Sequence, residues 1–164
     1  MSSLLWRCLQ WPGHEFVRLD GRNVSGHAVF AMKGDVCSLQ YEIACNDAWE
    51  TRRVSVQGWV GDRSIEVDID AADIAPCLDI DLNFSPSTNT LPIRRLNLRI
   101  GESARVTAAW LVFPSFLLEH LDQTYTRLSQ NVYRYDNVES GFSAELRVNE
   151  EGLVLEYGDL WRAE

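Results

Sequence analysis

The chain has 164 residues, 46% of them hydrophobic, 24% charged and 10% aromatic, a composition that fits one globular domain spanning residues 1–164. Fifteen Lys and Arg against twenty-four Asp and Glu leave a net charge of −9, which repels phosphate backbones and anionic lipid surfaces and speaks against a nucleic-acid binder. A chain of this length buries roughly 70% of its unfolded surface, so it needs neither a metal nor disulfides as staples.

From Met1 to Cys8 there is neither the charged start nor the apolar stretch of a secretory leader, and Ser2 stands where myristoylation requires glycine. No window approaches the roughly 18 uninterrupted apolar residues of a spanning helix, so a cytoplasmic protein without stable membrane insertion is expected. Period-two alternation then recurs along most of the chain. Leu39, Tyr41 and Ile43 alternate with Gln40, Glu42 and Ala44. After the Asn46-Asp47 turn, Val54, Val56 and Val60 alternate with Arg53, Ser55 and Gln57. Past Gly61-Asp62, Val67 and Ile69 alternate with Glu66, Asp68 and Asp70, then Leu78, Ile80 and Leu82 with Asp79 and Asp81. Leu96, Leu98 and Ile100 oppose Arg95, Asn97 and Arg99. Near the end, Phe142, Ala144, Leu146 and Val148 precede a turn at Asn149–Gly152 and a return through Leu153, Leu155 and Tyr157. Strands with one wet and one dry face predict an all-β, mainly antiparallel fold: a rolled sheet, β-roll or barrel-like single domain with at most one or two short helices.

Two stretches depart from this pattern. Ala108 to Phe113 is apolar at every position, so both faces of that strand must be covered, which marks Trp110 and Phe113 as candidates for the wall of an internal cavity. Residues 114–130 carry helical spacing at Leu118, Leu121, Tyr125 and Leu128 but strand formers at Thr124, Tyr125, Thr126 and Val132, and periodicity leaves helix or strand open.

Chemistry-bearing motifs are sparse. Cys8, Cys37, Cys45 and Cys77 form no CxxC pair and read as reduced thiols filling apolar positions. His14, His27 and His120 stand in no metal-binding or nucleophile motif, and the acids of 65–83 lack the glycine and distal glutamate of a calcium loop, so they read as a solvated strand face. No cofactor, metal or catalytic residue is therefore expected. Asp79 and Asp81 could serve as an acid/base pair, yet two apart on a strand they would share its wet face.

The informative segment is Asp79–Ile100. Between Pro86 and Pro92 lie Ser87, Thr88, Asn89 and Thr90, which either satisfy their own loop's backbone or face a polyhydroxylated ligand. Arg94 shares the parity of Leu96, Leu98 and Ile100, so on a regular strand its guanidinium enters the dry face and must meet a carboxylate, carbonyls or a ligand. A strand beginning one residue later, or a structural ion pair, is the plainer alternative. Trp59 shares parity with Arg53, Ser55 and Gln57 and belongs on the wet face or at a rim.

The run Cys77-Leu78-Asp79-Ile80-Asp81-Leu82, followed by Ser85-Pro86-Ser87-Thr88-Asn89-Thr90-Leu91-Pro92-Ile93-Arg94-Arg95-Leu96, resembles the hallmark of the bacterial glycolipid-binding family. The similarity extends to Trp11 and His14-Glu15, to Tyr41 with Asp47 and Trp49, to Tyr125 and Tyr133-Arg134-Tyr135, and to Val148 through Trp161-Arg162. Ala75-Pro76 and Tyr157-Gly158-Asp159 depart from it, both in turns. The resemblance implies a spiral β-roll shaped like the carriers that shuttle bacterial lipoproteins, and no catalytic residues. The resulting expectation is non-catalytic binding of a small amphipathic molecule, a glycolipid or lipid, with its tail near Trp110 and Phe113, its head near Ser87, Thr88, Asn89 and Arg94, and Trp59 at the rim. Two alternatives remain open. One is an enzyme acting on a sugar or lipid through Asp79, Asp81 or Glu15 with Arg94. The other is a structural or oligomerisation module without a ligand; a homo-oligomer fits any of these readings.

Overall fold

The computed structural model describes residues 1–164. Its elements are β1 (Ser2–Cys8), β2 (Gly13–Asp20), β3 (Asn23–Met32), β4 (Asp35–Cys45), β5 (Thr51–Val60), β6 (Arg63–Asp70), the one-turn helix α1 (Ala71–Ile74) and β7 (Ile80–Leu82). A 3-10 turn (Pro86–Asn89) runs into α2 (Thr90–Leu96), followed by β8 (Ser103–Val112), β9 (Leu117–Arg127), β10 (Val132–Asn137), β11 (Phe142–Val148), β12 (Val154–Tyr157) and β13 (Trp161–Ala163). No helix is long and apolar enough to cross a membrane.

All thirteen strands form one sheet in the order β6-β5-β4-β3-β2-β1-β13-β12-β11-β10-β9-β8-β7. The chain ends meet in its middle, where Trp6 pairs with Ala163 and Cys8 with Trp161. The sheet is therefore an up-and-down meander whose two edges, β6 and β7, follow one another in sequence through α1. It rolls without closing. Side chains from distant strands meet across the roll: Phe30 on β3 packs against Phe113, and Arg63 at the start of β6 donates to the Pro114 carbonyl and lies over Phe116.

The predicted alternation holds in most strands. In β4, for example, Cys37, Leu39, Tyr41 and Ile43 are buried while Gln40 and Glu42 are exposed. The inward faces build one core cluster of 34 residues. The apolar run in β8 is covered on both faces as expected, with Ala108, Ala109 and Leu111 buried and Trp110 half-buried. Residues 117–127 are strand throughout, because pairing with β8 and β10 overrides local helical spacing.

The expected strand around Arg94–Ile100 is absent. Beside β8, β7 runs parallel, with Ile80 opposite Ala109, and parallel neighbours need a crossover of a dozen residues or more. The 3-10 turn and α2 supply it. Their start and stop signals are local: Ser85 caps the turn by accepting from the Ser87 N–H, Pro86 sits in the first turn, Arg94 and Arg95 fall in the last turn, and Asn97 ends the helix in the left-handed region. The period there is 3.6, and parity arguments based on two do not apply.

Gly58 on β5 shows how closely neighbouring strands approach. Its φ is +145°, and a Cβ there would stand 1.9 Å from the Ser38 carbonyl oxygen on β4. We expect Gly58→Ala to lower stability by roughly 1–3 kcal/mol in chemical denaturation. An unchanged midpoint would show that β4 and β5 separate freely at this point.

Candidate functional site

The crossover lies inside the roll. Every residue from Phe84 to Ile93 is buried, including Ser85, Ser87, Thr88, Asn89 and Thr90. A polar segment in such a place must have its groups paired, and it does. The Ser85 hydroxyl donates to Glu15 Oε1 at 2.6 Å and contacts Tyr41 and Ser87, while Thr88 Oγ1 accepts from the Leu82 N–H. Asn89 donates to the Pro86 carbonyl and accepts from Tyr125 Oη at 2.8 Å. Ser87, Thr88 and Asn89 thus serve their own segment and are turned away from solvent.

Glu15 is the centre of this network, at 0% exposure. Tyr41 Oη also donates to its Oε1 at 2.6 Å, whereas Oε2 has no partner. Burial pushes the carboxyl up to about 8, against the lowering influence of the Ser85 and Tyr41 hydroxyls. Gly26 makes room for the phenol, since a Cβ there would lie 2.4 Å from Tyr41 Oη.

The expected acids do not converge. Asp79, anticipated on a wet face, is buried and held by Arg95 through two hydrogen bonds of 3.1 and 2.5 Å. Asp81 faces Gln123, which donates to it at 2.6 Å and to Tyr135 Oη at 3.2 Å; burial raises its carboxyl to about 6. Asp79, Asp81 and Glu15 are thus engaged with three separate sets of partners, and Arg94 lies with none of them. Arg94 is also exposed, contrary to the parity argument. The helical turn sends Arg95 inward to Asp79 and Arg94 outward.

The expected apolar space beside Phe113 is filled by ring contacts with Phe30, Phe84 and Phe116 at centroid distances of 5.5–6.2 Å. Trp110 is half-buried next to Asp81 across the β7–β8 pairing. Trp59 is 54% exposed on the outer face, where its parity placed it.

Arg94 instead lines a cavity of about 490 Å³ at one end of the roll. Four turns and the end of α2 build it. Arg22 comes from the β2–β3 turn, with its carbonyl fixed by the Cys45 N–H at 3.0 Å. Trp49 comes from the β4–β5 loop, which Asn46 organises by accepting from the Ala48 and Glu50 N–H groups. The Trp49 backbone is left-handed, φ 64°, and its ring is buried. Both guanidiniums pack over that ring, Arg22 at 4.7 Å and Arg94 at 5.2 Å from its centroid. Arg127 lies over Tyr133 at 5.5 Å and donates to the carbonyls of Leu98, Ser129 and Gln130. Thr90 Oγ1 donates to the Gly152 carbonyl at 3.0 Å, and Gly152 leaves room for the Arg94 stem, whose Cδ lies 3.1 Å from where a Cβ would stand. Arg22, Trp49 and Arg127 carried no local sequence signal for a shared site, because they meet only through the sheet.

Two outcomes follow from the buried groups. A carboxyl whose pKa is raised on folding keeps its proton in the native state while the unfolded chain loses it. Stability therefore falls as pH rises from the ordinary carboxylate range to about 8, by at most about 1.4 kcal/mol per pH unit. Urea titrations between acid and mildly alkaline pH should show this decline in the parent, and Glu15→Gln should remove it above about 7, where Asp81 is largely ionised. Parallel profiles would refute a protonated Glu15. Arg95→Met, which leaves Asp79 buried and unpaired, should cost about 3–5 kcal/mol in the same assay, whereas Arg94→Met should cost under about 1 kcal/mol.

Residues 3–163 match the family described as "Putative glycolipid-binding". A DUF1089-family protein from Pseudomonas aeruginosa, known from its crystal structure, is 30% identical, with 90% of each chain covered and a TM-score of 0.83. No curated protein matches the chain. On this match and the shared fold, the chain belongs to that family.

Proposed function

We propose that this protein is a non-catalytic binder of an amphipathic, glycolipid-class ligand, and that the ligand's polar head occupies the end cavity. The observation that carries the reading is the make-up of that cavity. Its volume falls within the range of small-molecule sites, Trp49 and Tyr133 contribute ring surface, and Asn97, Gln130, Asn131 and Asn149 contribute amides around an apolar floor of Ile93 and Val148. Family membership supports the ligand class.

The head group sits here and not at Ser87, Thr88 and Asn89, which are consumed by internal hydrogen bonds. The tail lies outside the roll, since the space beside Phe113 holds aromatic rings. A reducing, cytoplasmic setting is part of the reading, supported by four unpaired cysteines.

Native mass spectrometry of the protein purified from its host and then exposed to host lipid extract tests this. The parent should retain a glycolipid-mass adduct. Asn131→Trp, which fills the mouth of the cavity, should reduce that adduct by about tenfold or more, and Trp59→Ala on the outer face should leave it unchanged. Only apo protein across several extracts, or an adduct indifferent to Asn131→Trp, would overturn the proposal.

A further inference from the structure

The end cavity gathers three guanidiniums, Arg22, Arg94 and Arg127, against a single carboxylate, Glu150. This happens in a chain with nine more acids than bases, where a randomly assembled pocket would be acidic. Eight arginines elsewhere pair with carboxylates, but no ion pair engages any of these three.

Arg22 and Arg94 share one indole ring, so their like charges are separated by no more than the sum of 4.7 and 5.2 Å. Repulsion at such a distance is unfavourable, and no carboxylate forms an ion pair with either arginine. It holds the arrangement by other means: a left-handed backbone at Trp49, a glycine at 152 beneath the Arg94 stem, and the Thr90 bond to the Gly152 carbonyl. The charge of Arg127 is anchored by carbonyls, which orient it without neutralising it.

From this convergence we infer that the head group taken by the end cavity is acidic, an oxyanion of the phosphate type carried on the polar end of an amphiphile. The inference rests on the reading of the cavity given above and narrows it to a charge class. Guanidiniums suit such a group because their planar forks match its oxygens and they remain charged at every relevant pH. A lipid head and a free phosphate share this chemistry, and the tail distinguishes them.

Calorimetric titration with three probes separates the possibilities: dodecyl phosphate, dodecyl maltoside and inorganic phosphate, each below any micellar concentration. Dodecyl phosphate should bind about tenfold or more tightly than dodecyl maltoside and should weaken as salt rises from about 20 mM to about 200 mM. The double variant Arg22→Gln/Arg94→Gln, checked for an unchanged melting profile, should lose about tenfold for dodecyl phosphate and less than about threefold for the maltoside. Glu150→Gln removes the one opposing carboxylate and should tighten dodecyl phosphate severalfold, a gain that misfolding cannot produce.

Maltoside binding equal to that of dodecyl phosphate, or indifference to both sets of substitutions, would overturn the acidic head while leaving the glycolipid-class reading in place. Inorganic phosphate binding as tightly as dodecyl phosphate, with the same arginine dependence, would uphold the oxyanion site and remove the amphiphile. Failure of all three probes would overturn both.

Discussion

A polar segment can lie inside an apolar roll only if each of its hydrogen-bonding groups finds a partner there, and the rest of this molecule depends on that condition. The crossover from Phe84 to Ile93 fills the space that the curled sheet would otherwise leave open. Ser85 is matched by Glu15 and Tyr41 from the first half of the sheet and Asn89 by Tyr125 from the second, while Thr88 and Thr90 bond the Leu82 N–H and the Gly152 carbonyl. The network joins β2 and β4, separated only by β3, to β9, which stands far from both in strand order. It is a set of polar keys between two flanks whose strands are paired directly only at β1 and β13, and the aromatic contacts among Phe30, Phe84, Phe113 and Phe116 complete the fit at the opposite end.

The same crossover also shapes the end cavity. As α2 leaves the interior, consecutive arginines part company. Arg95 turns back to the buried Asp79, where a bidentate pair offsets the cost of removing two charges from water. Arg94 continues outward to Trp49. The buried ion pair fixes the helix, the helix fixes Arg94, and the Thr90 bond to the turn after β11 fixes the cavity wall relative to both. A cavity assembled from turns is thereby held by a rigid interior element, which would lower the ordering cost of a ligand bound there.

This arrangement changes the picture of a lipid binder that the fold first suggests. A rolled sheet invites the idea of an acyl chain enclosed between its flanks, but here the protein's own crossover occupies that position. In the proposed reading, recognition falls to the polar end of the ligand, at the end of the roll, with charge and ring surface as the selective features. Glu15, whose carboxyl burial pushes up to about 8, belongs to this framework, with Oε1 accepting from Ser85 and Tyr41 and Oε2 unpartnered.

Much of the fold was legible in the sequence because alternation at period two is a local property. The residues Leu39, Tyr41 and Ile43 announce a buried face whatever lies across from them, and the unbroken apolar run of β8 announces two covered faces. The length and composition set the scale of the core, and the string from Cys77 to Leu96 marked the family. Misreadings came where period two was carried past its domain: Ser85-Pro86 and the final Asn97 signal a helix, and with that signal Arg95, not Arg94, becomes the buried cation. Only tertiary structure could decide that β7 runs parallel to β8, that a polar segment fills the roll, and that Arg22, Trp49, Arg94 and Arg127 share a cavity. Sequence spacing specifies which way a side chain points from its own strand or helix. Which residues face one another across the interior depends on how thirteen strands curl around a single crossover, and no local pattern encodes that.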